Sequence, residues 1–132
     1  MRIRVQLPAG AVGAGEARKV LDELGRETPK DVLSTLELLV SELVANSPRH
    51  SDEGSQGVLV KIETSTSTIR AEIVDVGTGT AAPSTSEENT TSGWDVFLLE
   101  EMSSRWGIVE GSTDGVWFEI DRWTRNTLGP QT

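Results

Sequence analysis

The stretch "SELVANSPRH", residues 41–50, places Glu42, Asn46 and His50 four residues apart. On a helix, Glu42 and Asn46 stand about 40° apart and one turn apart, so both side chains can address a common object. An amide oxygen is a hard ligand suited to Mg²⁺, which takes few protein ligands and shares its remaining positions with phosphates and water. A carboxylate one turn away can serve as general base or hold the metal through water. The ordinary reading is also open. Asn is a poor helix-interior residue and Pro48 ends a helix, so Asn46 could be a terminal turn residue, Glu42 a boundary residue and His50 a solvated turn residue.

A second constellation is "VDVGTGT", residues 74–80. Asp75 closes an apolar strand, and Gly77 and Gly79 follow at alternate positions. Glycines let backbone approach a ligand closely, and a carboxylate at a strand end can accept hydrogen bonds from an exocyclic amine such as that of adenine. An Asp-x-Gly turn without a ligand is the plain alternative. A third is Ser92–Gly93 ahead of "WDVFLLEE". Free N–H groups at a helix start favour an anion, although serine is also a common helix cap.

These residues need elements to hold them. "RIRVQL" alternates apolar Ile3, Val5 and Leu7 with polar neighbours, the mark of a half-buried strand. From about residue 14, Ala17, Val20, Leu21 and Leu24 recur at helical spacing, and Gly25 and Pro29 end that helix. Asp31 begins a second helix with a stripe of Val32, Leu36, Leu39, Val40 and Leu43. "GVLVKIET" and "IRAEIVDV" alternate and are joined by "STST" as a hairpin. Residues 77–93 are rich in Gly, Ser and Thr without periodicity, and read as a lid-like loop. "WDVFLLEEMSS" resumes a helix, and "RWGIVEGS" and "GVWFEID" form closing strands. The order predicts an α+β two-layer sandwich: a mixed, mostly antiparallel sheet with about three helices on one face. Residues 1–123 make one domain and 124–132 a polar tail.

Composition narrows the function. The chain of 132 residues carries 21 acidic against 12 basic side chains, a net charge of -9. That balance disfavours nucleic acid, whose phosphates need clustered Lys and Arg, and an anionic membrane surface. With no cysteine and one histidine, thiolate and His-rich metal sites are excluded. No apolar run reaches a membrane span and the N-terminus lacks a signal-peptide core, so a cytoplasmic domain is expected.

Taken in order, "ELVANSPRH", "DVGTG", "SGWDVFLLEEMSSRWGI" and "GVWFEI" resemble the N-box, first glycine box, second glycine box and closing strands of the GHKL (histidine-kinase-like, Bergerat) ATPase domain. More narrowly, the chain is similar to the anti-sigma-factor serine/threonine protein kinase branch, over about residues 1–123. The resemblance implies ATP and Mg²⁺ as cofactors. It implies that Asn46 ligates Mg²⁺, that Glu42 is the catalytic base and that His50 supports the N-box. Asp75 would bind the adenine amino group, Gly77 and Gly79 would wrap base and ribose, and Ser92 and Gly93 would lie near the phosphates. The implied partners are a STAS-type anti-sigma antagonist, a sigma factor, or both. Related proteins often form a homodimer. A histidine-kinase module acting on a phosphoacceptor histidine is a third reading, disfavoured because the chain carries no dimerisation helix pair.

The chain departs from the pattern at three places. Asp95 stands where the family usually has glycine. Facing a triphosphate at 4 Å, it would repel each charge by roughly 4 kcal/mol at an effective dielectric of about 20. Turned outward, it is a helix-start residue worth about 0.3–1 kcal/mol. Gly115 replaces a threonine that helps hold adenine, for which Thr113 could substitute. Pro48 follows the N-box asparagine closely. A protein-binding module with weak or lost nucleotide binding is therefore the alternative to a kinase.

Overall fold

The structure, a computed structural model, describes residues 1–8, 10–46, 57–75, 93–109 and 115–122. The chain runs β1 (Arg2–Leu7), α1 (Ala11–Leu21), a 3₁₀ turn (Asp22–Leu24), α2 (Lys30–Ala45), β2 (Val58–Thr64), β3 (Thr68–Asp75), α3 (Gly93–Met102), β4 (Arg105–Ile108) and β5 (Gly115–Asp121). The strands form one sheet in the order β1-β2-β3-β5-β4, and every described pairing is antiparallel. The expected α+β sandwich is the fold observed. α1 begins at Ala11, a turn earlier than its apolar spacing indicates, because Gly10 at φ 93 turns the chain sharply out of β1.

Strand alternation decides the two faces. On one, the register aligns Ile3, Ile62, Ala71, Phe118 and Trp106 across all five strands. This face packs on Ala17 and Leu21 of α1, Leu36, Leu39, Val40 and Val44 of α2, and Leu98 and Leu99 of α3, forming one continuous core. On the other face the same register aligns Arg2, Glu63, Arg70, Glu119 and Arg105, alternating in charge. Arg2 meets Glu63 at 2.9 Å, Arg70 meets Glu119 at 3.3 Å, and Arg105 meets Glu119 at 2.9 Å and also pairs with Asp121. Trp117 lies on this charged face. Arg70 sits 4.5 Å above its ring, and the ring presses so closely on Gly107 that a Cβ there would meet the indole at 2.9–3.0 Å.

The hairpin expected from "STST" is present: Ser65 accepts the N–H groups of Ser67 and Thr68 at its hydroxyl and closes the β2–β3 turn. The loop over 77–92 and the polar tail lie outside the described residues.

Candidate functional site

α2 is built to deliver its C-terminus to one end of the sheet. Its apolar stripe is fully buried at Leu36, Leu39, Val40 and Val44, which leaves little freedom to rotate or slide. Two further ties fix the register of its end. Gly10 N–H donates to the Val44 carbonyl at 3.2 Å, and the Arg18 guanidinium of α1 donates to Ser41 Oγ at 3.3 Å. Asn46 is the C-cap residue, and its N–H donates to the Glu42 carbonyl at 3.0 Å. Glu42 is half-buried and Asn46 exposed. The side chains thus come from the last turn of a rigidly seated helix, with Asn46 just past the break that its poor helical propensity favours.

The sheet brings other expected positions to the same end. Leu7, Val58 and Asp75 are aligned across β1, β2 and β3, and Val74 pairs with Gly115 at the start of β5. The end of β3 and the start of β5 therefore lie beside the end of β1, to which Gly10 ties α2. Gly57, at φ 90, lets β2 begin against β1; a Cβ there would meet the Leu7 carbonyl carbon at 3.2 Å. Asp75 is the last residue of β3 and Gly93 the first of α3. His50, Gly77, Gly79, Ser92 and Thr113 lie outside the described residues.

The contact that sequence reasoning did not foresee joins α2 to α3. Asn46 Nδ2 donates to Asp95 Oδ1 at 3.0 Å. Asp95 is in the first turn of α3 and only 5% exposed. The carboxylate does not face solvent but is turned inward onto the end of α2. A core anchored at Leu98 and Leu99, one turn further on, holds α3 in that position. The signal was an acidic residue in the second glycine box together with an amide in the N-box, two polar groups brought to one end of the fold.

The oxygen chemistry here fits a hard cation. The amide has a carbonyl oxygen to offer once its nitrogen is taken by Asp95, and a carboxyl group stands one turn earlier at Glu42. Among the described residues no cluster of three or more His, Asp or Glu gathers to enclose a metal. A cation held at Asn46 would thus take most of its ligands from phosphate and water.

The model of the histidine kinase-like ATPase domain matches residues 7–117, most of the chain. Joined to the antiparallel sheet with its three helices on one face, this places the chain in the histidine kinase-like ATPase family. Membership implies ATP binding, commonly with Mg²⁺. No curated protein matches the chain. Among the described residues no helix is long and apolar enough to cross a membrane.

Proposed function

We propose that the protein is an ATP- and Mg²⁺-binding regulator of the anti-sigma-factor serine/threonine kinase type, acting in transcriptional control in the cytoplasm. The observation that carries this reading is the N-box sequence at the close of α2, set against the first turn of α3 in a domain of the ATPase family. Asn46 would hold Mg²⁺ through its amide oxygen, Asp75 would select adenine, and Ser92 and Gly93 would meet the phosphates. Bound Mg²⁺ would neutralise phosphate charge in the transferring group. Glu42 would take the proton of a partner's serine hydroxyl as the hydroxyl oxygen bonds to the terminal phosphorus and the bond to the ADP oxygen breaks. By the resemblance to the anti-sigma-factor kinases, the partner would be an antagonist of the STAS type, with a sigma factor as the protein held inactive.

One observation favours a second reading, a protein-binding module with weak nucleotide affinity: the buried carboxylate of Asp95 beside Asn46. The two readings separate experimentally. Under the first, Mg-ATP raises the melting temperature and γ-phosphate appears on a cognate antagonist, and Asn46→Ala loses both effects. A partner complex that forms equally with and without nucleotide, with no phosphate transfer, supports the second. Unimpaired binding and transfer by Asn46→Ala would remove the metal role of that residue.

A further inference from the structure

The side chain of Asn46 is exposed, and an asparagine amide can present either its oxygen or its nitrogen in a given direction by a half-turn of χ2. Asp95 removes that freedom. A carboxylate only accepts hydrogen bonds, so the amide must face Asp95 with its nitrogen, as the 3.0 Å contact shows. The carbonyl oxygen is then turned away from Asp95. The acceptor is itself stiff, being nearly buried on a helix whose next turn is embedded in the core. The chemistry of the pair therefore fixes which end of the amide is offered outward, and that end is the hard oxygen a divalent cation takes.

We infer that Asp95 is a positioning and selectivity residue for metal-bound nucleotide: its hydrogen bond presents the Asn46 oxygen to the cation, while its negative charge discriminates against a triphosphate that arrives without one. The inference rests on the nucleotide reading given above and adds to it a residue where that family ordinarily has glycine. Groups that orient a metal ligand commonly change metal affinity 10–100-fold when removed. The charge acts in the opposite sense on bare nucleotide, because a carboxylate beside the phosphate end repels a polyanion unless a cation intervenes.

The two roles separate in a pair of variants. Asp95→Asn keeps a carbonyl that can accept from Asn46 and removes the charge; Asp95→Ala removes both. ATP affinity is measured by calorimetry in Mg²⁺ and in EDTA, with thermal melts verifying that each variant folds. The Asn46 side-chain amide is followed by NMR without nucleotide. In Asp95→Asn, ATP in EDTA should bind tighter than to the parent, while affinity in Mg²⁺ stays within about threefold. In Asp95→Ala, affinity in Mg²⁺ should fall about tenfold or more, and the hydrogen-bonded side-chain amide proton of Asn46 should shift toward the position of a solvated amide, while Asp95→Asn keeps it near the parent's. An unchanged ratio of the two affinities in both variants overturns the inference alone, as does tighter Mg-ATP binding by Asp95→Ala. Failure of the parent and both variants to bind ATP under either condition overturns the nucleotide reading and this inference with it.

Discussion

Two glycines in α1 occupy the same kind of helical position in sequence and opposite situations in space. Gly15 is exposed, and a Cβ built on it meets nothing within 4 Å. Replacing it with alanine should simply recover helix propensity, a gain of about 0.8–1 kcal/mol. Gly13 is buried where α1 crosses the end of β1. A Cβ there would lie 2.8 Å from the Pro8 carbonyl carbon, closer still to its oxygen, and 3.1 Å from Val44 Cγ1. The Pro8 atoms are backbone and cannot rotate away, so α1 must lift off the strand end, and the Gly10–Val44 hydrogen bond that seats α2 is strained with it. Overpacking of this kind costs about 1–3 kcal/mol or more, which exceeds the propensity gain. Gly13→Ala should therefore lower stability by about 1–2 kcal/mol while Gly15→Ala raises it by nearly 1 kcal/mol. For a domain of this size each kcal/mol moves the melting midpoint by roughly 3–5 °C. Urea or thermal denaturation monitored by circular dichroism reads both. Shifts of the same sign in the two variants would refute the claim that close approach at Gly13 governs this corner.

The remaining predictions concern charge. Arg70 touches Glu72 at 3.2 Å and Glu119 at 3.3 Å and lies over Trp117. With a third of its side chain exposed, the ion pairs are worth only a few tenths to about 1 kcal/mol and the ring contact about 0.5–1 kcal/mol. Arg70→Ala should cost about 1 kcal/mol in low salt and less in 1 M NaCl, by denaturation at each ionic strength; a loss above about 3 kcal/mol would show the ladder to be far stronger than a solvated array. Burial, with the hydrogen bond and charge of Asp22 adding to it and Arg18 opposing, pushes the Glu37 carboxyl above its usual range. A carboxyl raised in the folded state binds protons on folding, so its contribution declines as pH rises from the ordinary carboxyl value through the raised one. Glu37→Gln, neutral and still able to donate to Asp22, should be more stable than the parent at pH 7, with the difference shrinking by pH 3.5. A difference that is constant or grows on acidification would contradict this assignment.

Much of the fold was legible because it rests on local periodicity. Alternation in residues 2–7, 58–64 and 68–75 marks strands with one apolar face, and the stripe from Val32 to Leu43 marks a helix with one buried side. An apolar face on every element admits few arrangements other than helices layered on a sheet. The N-box spacing likewise sets Glu42 and Asn46 one turn apart at the end of α2. Trp117 was legible as a sheet residue, but its place beneath Arg70 on the charged face follows from the pairing of β3 with β5.

The amino-acid sequence by itself determined which segments coil, which extend and which face of each turns inward, since those properties depend on neighbours within a few positions. Only the tertiary structure decided that Gly13 is confined while Gly15 is free, that five strands align their charges in one row, and that Asp95 meets Asn46 across 49 residues of chain. Such contacts depend on how separate elements are seated on a common core, and no short-range pattern carries that information.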